Sequence, residues 1–174
     1  MHKLVLLLAL LATGAASATA SAKGIGFSPE ATESCLAKAD GSAARAACIG
    51  KSAEACYAAV KNRSEVDEAT CLNSETEWWR GRMEAAYAAA EKRAAMSDIE
   101  FAPAIAQGSP KMVDDLALMH AAWKDWSEKR CFYAADGRRG KDDRSVVASR
   151  CMMQQTATQT LLLEDAASKR APKP

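Results

Sequence analysis

The chain is poor in the residues that most catalysis and most metal binding require. Among its 174 residues there are 2 histidines, 3 Phe, 4 Trp and 3 Tyr. His2 falls in the N-terminal leader discussed below, which leaves His120 alone in the rest of the chain. No Cys-x-x-Cys pair is present, so the close ligand spacing of a structural zinc site is missing. No glycine-rich phosphate loop and no nucleophile elbow occurs, and no serine, cysteine or carboxylate stands in a pattern that would make His120 a general base. Neither an enzyme nor a cofactor is expected. Charge of one sign is also lacking, with 23 basic residues against 22 acidic ones, so there is no electrostatic case for nucleic acid or an anionic membrane surface. Strand-like alternation is absent as well, and no apolar run approaches the roughly 20 residues that cross a bilayer.

What is present begins with "MHKLVLLLALLATGAASATASAKG". A basic start, a short apolar run and small residues with Ala-x-Ala options read as a secretory signal peptide over 1–22, cut after Ala22, with Ala18 and Ala20 as alternatives. The remaining chain suits one helical domain over 23–170, followed by a disordered tail at 171–174, in the periplasm or outside the cell. Six cysteines in an exported chain imply three disulfides.

Alanine, glutamate, lysine, arginine, methionine and leucine fill nearly every segment, and all are strong helix formers. The pattern predicts five helices, at about 30–39, 43–61, 65–96, 110–134 and 145–168. They are separated by "DGS", "NRS", "GSP" and "DGRRGKDD", and the last-but-one helix starts from Ser109-Pro110. "SDIEFAPAIAQG" stays ambiguous, since Pro103 opposes an uninterrupted helix. Cys35 and Cys48 lie equidistant from "DGS", Cys56 and Cys71 from "NRS", and Cys131 and Cys151 from the "GRRGKDD" turn. Antiparallel helices bring such residues face to face, so consecutive pairing is expected. The fold class is therefore all-α: a small disulfide-stitched bundle of antiparallel helical hairpins.

The tryptophans fall in two windows, "CLNSETEWWRGRM" and "HAAWKDWSEKRC". Leu72, Trp79, Met83, Ala86 and Ala90 share one helical face; Leu116, Met119, Trp123, Trp126 and Arg130 form a second stripe. Trp79, Met83, Met119 and Trp123 are expected in the core. Trp78 and Trp126 are candidates for partial exposure, where an indole can anchor a protein partner. Glu75, Glu77 and Glu84 are expected on a solvated face. "CMMQQ" with His120 has the ingredients of a copper site, but methionines at helical spacing more often fill a core, and no metal is expected.

These same windows resemble the signatures of the lysozyme inhibitor LprI-like family. Trp79, Met83 and Tyr87 fall on its first pattern; Trp123, Trp126 and Cys131 fall on L-x-x-x-Q-R-x-W-x-x-[YF]-R-D-x-x-C; Cys151 and Thr156 fall on the third. The resemblance covers about 56–165, with Cys35 and Cys48 ahead of it. It departs where His120-Ala121 replaces Gln-Arg and Ser127-Glu128 replaces Arg-Asp. It implies an exported helical binding protein with lysozyme or a related peptidoglycan hydrolase as partner; the alternative is a non-enzymatic periplasmic structural or adaptor protein. An inhibitor must block a cleft lined with two carboxylates. Arg138, Arg139 and Arg144, on the loop spanned by the last cysteine pair, are candidates for that contact, although the plainer reading of the same loop, and the one ranked ahead, is a solvated connection held by Cys131–Cys151. Replacing Trp79 or Trp123 with alanine is expected to cost about 3–5 kcal/mol in denaturant unfolding, whereas an indole fully in solvent would lose far less.

Overall fold

The computed structural model describes residues 25–168; the expected signal peptide and the expected tail at 171–174 lie outside the described residues. Seven helices follow in order: α1 Glu30–Leu36, α2 Gly41–Ala46, α3 Lys51–Ala58, α4 Glu65–Glu100, α5 Ala102–Ile105, α6 Met112–Asp136 and α7 Arg144–Ser168. No strand occurs among the described residues. All three consecutive disulfides are formed, with Cα–Cα distances of 5.5 Å for Cys35–Cys48, 5.8 Å for Cys56–Cys71 and 5.4 Å for Cys131–Cys151.

The bundle is built on α4. Ser64 caps it reciprocally with Asp67: the Asp67 N–H donates to Ser64 Oγ at 3.3 Å and the Ser64 N–H to Asp67 Oδ2 at 3.0 Å. The α6 helix runs back along α4, with Asp98 near the start of α6 and Tyr87 against His120. The α7 helix then runs parallel to α4, as successive contacts of Glu68 with Arg150, Trp79 with Thr160 and Arg82 with Glu164 require. The result is an up-down-up arrangement in which only neighbours in sequence are antiparallel. The short helices α1, α2 and α3 pack at one end.

The inner face of α4 is the one that the apolar spacing marks: Leu72, Trp79, Met83, Ala86 and Ala90 are all buried, with Ala94 continuing the row. Trp79 is the largest fully buried side chain, and Thr160 Oγ1 donates to its carbonyl oxygen at 3.2 Å. Met153, Ala157, Leu161 and Leu163 of α7 complete the core.

Four expectations need correction. The helix expected over 43–61 is two helices, because Gly50 adopts φ 95° between them. A Cβ there would lie 3.2 Å from Met153 Cε, in a backbone conformation that side-chain-bearing residues disfavour. The α6 helix starts at Met112 and not Pro110, and Asp98, at the end of α4, caps it by accepting from the Met112 and Val113 N–H groups at 2.8 and 3.2 Å. The α6 stripe is rotated from that expected: His120 and Trp123 are half-buried, Ser127, Cys131 and Ala135 are buried, and Met119 remains 38% exposed. The Cys131–Cys151 bond fixes that rotation, since it turns the 127–131–135 row inward. Trp123 is thus not a core residue as Trp79 is.

The fourth correction concerns Glu75, which is fully buried and not solvated, while Glu77 and Glu84 are exposed as expected. Its Oε1 accepts from Thr32 Oγ1 at 3.0 Å, the Gly50 N–H at 2.8 Å and Trp79 Nε1 at 3.0 Å; its Oε2 accepts from the Ala53 N–H at 2.6 Å. Two of these donors are orphan N–H groups of the first turn of α3, so a side chain of α4 caps α3. Thr32 and Ser52 complete the network: each hydroxyl accepts from the other residue's N–H at 2.9 Å. Each buried donor left without an acceptor costs about 1–3 kcal/mol, so Glu75→Ala is expected to cost about 3–6 kcal/mol after partial rehydration. Urea unfolding measures this, and a loss under about 1 kcal/mol would mean the network contributes little.

Candidate functional site

Two features can meet a partner: a cleft between the long helices and the loop joining α6 to α7. The cleft lies between α4, α6 and α7 and has a volume of about 800 Å³. Met83, Tyr87, Trp123 and Met152 line it with apolar and aromatic surface, and Arg80, Glu84, Lys124 and Glu128 stand along its edges. Small-molecule and side-chain sites have this size and mixture. Tyr87 of α4 stacks with His120 and then Trp123 of α6 along the wall of this cleft. The Tyr87 and His120 rings lie 4.6 Å apart, and the His120 and Trp123 rings 5.5 Å apart at 19°.

His120 Nδ1 is buried in this stack and has no hydrogen-bond partner among the described residues. Burial holds the imidazole below its ordinary 6.5, and the positive charge of Lys124 adds to the effect. The ring presents a neutral, planar surface at neutral pH. The Ser127 hydroxyl donates to the Lys124 carbonyl at 3.1 Å, and every described cysteine is disulfide-bonded. No cluster of three or more His, Cys, Asp or Glu able to hold a metal occurs among the described residues. The cleft is equipped to bind by packing and by ion pairs at its edge.

The loop is ordered by its own charges. Arg138 donates to both carboxylate oxygens of Asp143 at 3.0 and 2.6 Å, a bidentate pair. Arg139 and Arg144 share Asp136, at 3.1 and 3.0 Å. The hydrogen bonds from Arg139 and then Arg144 hold the Asp136 carboxyl below the usual range, and Arg138 does the same for Asp143. The three arginines named by the sequence are therefore together and solvent-facing, but two aspartates offset most of their charge, so they are not a free basic patch. Arg139 is the most available, with a side chain 78% exposed and one ion pair.

The two candidate tryptophans part company. Trp78 is half-buried, packs edge-on against Trp79 with centroids 4.6 Å apart, and lies under the Arg82 guanidinium at 5.1 Å. Trp126 is 53% exposed, with Arg130 over its ring at 5.3 Å. Sequence reading did not find the cleft: the Tyr87–His120 contact joins residues 33 positions apart, and only their shared helical faces hinted at it.

The sequence matches the lysozyme inhibitor LprI family over residues 56–163. This chain belongs to that family. The matched region begins at the end of α3 and runs into α7, so it contains the cleft, the loop and two disulfides; α1, α2 and Cys35–Cys48 precede it. The chain is also 40% identical over 136 residues to an uncharacterized 17.7 kDa protein from the puhA 5′ region of Rhodobacter capsulatus, covering 78% of this chain and 84% of the relative. No solved structure matches. Three formed disulfides suit an oxidising, non-cytoplasmic setting. No described helix is long and apolar enough to cross a membrane.

The lowered His120 pKa sets a pH dependence. As pH falls below 6.5, the unfolded chain binds a proton that the folded ring refuses, so stability contributed above that pH is lost until the folded ring also titrates. Between about pH 7 and about pH 5.5, the melting temperature is expected to fall further than that of His120→Gln. Equal responses would show that the ring titrates as freely in the fold as outside it.

Proposed function

We propose that the protein is an exported, non-catalytic inhibitor of lysozyme or a related peptidoglycan hydrolase, acting in the periplasm or after secretion. The observation that carries this reading is the LprI family match across the three-helix frame, residues 56–163. The blocking element is the α6–α7 loop. Glycosidase clefts present two carboxylates, and arginine forks bind carboxylates bidentately. The loop is closed by Cys131–Cys151 and preordered by Asp136 and Asp143, so it loses little entropy on docking. Arg139 leads the contact because its side chain is the most exposed of the three; Arg138 and Arg144 follow by exchanging an internal aspartate for a carboxylate of the partner. Trp78 is held by the core and supports the frame. Trp126 lies ten residues, about 15 Å of helix, before the loop and stands outside this contact.

The cleft favours a second reading, an adaptor that binds another envelope protein through a side chain inserted beside Tyr87 and Trp123. Lysis of a cell-wall suspension separates the two. The purified protein is expected to slow lysozyme, and changing Arg138, Arg139 and Arg144 together to serine is expected to weaken inhibition about tenfold or more, about 1.4 kcal/mol per decade. Undiminished inhibition by the folded variant would exclude the loop. Failure of the unmodified protein against every lysozyme tested would leave the adaptor reading.

A further inference from the structure

The α6 helix is apolar on more of its circumference than the bundle covers. Its inward row is Leu116, His120, Trp123, Ser127, Cys131 and Ala135. Beside that row, on the flank opposite Lys124 and Glu128 of the cleft, lie Met112, Met119, Trp126 and Tyr133 at intervals of seven. They are 50%, 38%, 53% and 83% exposed. A helix with a second apolar flank normally packs a second neighbour. A strict seven-residue apolar repeat on a 3.6-residue helix, drifting about 20° per heptad, is the pattern that packs against another helix at a shallow left-handed crossing.

We propose that this flank of α6 pairs with the same flank of a second copy of the chain, antiparallel about a two-fold axis beside Ala122. Charge decides the occupant. Asp114 and Asp115 open the helix, and Lys129 and Arg130 lie near its end. Antiparallel pairing centred between Ala122 and Trp123 sets Met112 against Tyr133 and Met119 against Trp126, twice each. The same register sets Asp115 against Arg130, also twice. Among the described residues Asp115 forms no ion pair, and Arg130 rests only on the Trp126 ring. A parallel arrangement would instead bring like charges together. At the centre, Ala122 allows close approach of the two backbones. Two-fold pairing of this kind is self-limiting, because one patch satisfies itself. The α6–α7 loop and the cleft stay uncovered, so the proposal does not depend on the inhibitor reading.

Sedimentation equilibrium of the mature protein, with its disulfides intact, tests this. The expected result is a concentration-dependent doubling of mass. Trp126→Glu is expected to weaken dimerisation at least about tenfold, with circular dichroism unchanged, and melting unchanged at dilutions where both proteins are monomeric, because the side chain is exposed. Asp115→Arg and Arg130→Asp are each expected to weaken it roughly fivefold, and the double reversal to restore it to within about threefold of the parent. Three results would overturn the proposal: a monomer up to millimolar concentration, a dimer indifferent to Trp126→Glu, or a double reversal no better than either single one.

Discussion

One buried carboxylate organises the join between α1, α3 and α4 at the N-terminal end of the molecule. Glu75 sits on the central helix and gathers donors from Thr32 of α1, Gly50 and Ala53 at the start of α3, and Trp79 one turn along α4. Among the described residues no cation pairs with it; four neutral donors share the burden of holding a carboxylate out of water, and this works only when all are aimed together. The left-handed turn at Gly50 and the orientation of the Trp79 indole both serve to satisfy that one group. Short helices of 6, 7 and 8 residues would not persist in water on their own propensity. They are helices here because the network and Cys56–Cys71 hold α3 against α4, Cys35–Cys48 and the Thr32–Ser52 hydrogen bonds hold α1 to the start of α3, and Arg45 ties α2 to α7.

The ionic contacts do a different job. Arg45 of α2 reaches Glu164 and Asp165 of α7, and Arg82 of α4 reaches Glu164 from the other side. These groups are partly exposed, so each pair adds little stability. Their value lies in register: one acidic pair near the end of α7 is addressed by two helices that approach from different directions. Apolar packing is permissive about sliding, especially along the alanine row at 86, 90 and 94, and charges that meet at only one offset remove that freedom.

The part of the fold visible in the sequence was the part governed by local periodicity and local spacing. The α4 face from Leu72 to Ala90 and the three cysteine pairings depend on residues near one another in the chain, and these were read correctly. Glu75 was misread because a glutamate four residues before a tryptophan looks like any solvated position; three of its four donors come from 22, 25 and 43 residues away. The rotation of α6 was misread for a related reason. Its apolar residues exceed what one face can bury, and only the tertiary position of Cys151 tells which are turned inward. Of the candidate site, the loop arginines were legible as a cluster, but their pairing with Asp136 and Asp143 needed the turn geometry, and the cleft needed three helices at once.

The connectivity of the cystines bears on how such a chain matures. The bonds close spans of 13, 15 and 20 residues, and none encloses or crosses another. A polypeptide threaded across a membrane from its N-terminus delivers its thiols to the oxidising side in that same order. Joining each waiting cysteine to the next one to arrive would yield the native set, so the simplest oxidation sequence leads to the native pairing. Such a protein can be completed by an oxidant that joins thiols in order of appearance, without a catalyst that breaks and reshuffles mistaken pairs.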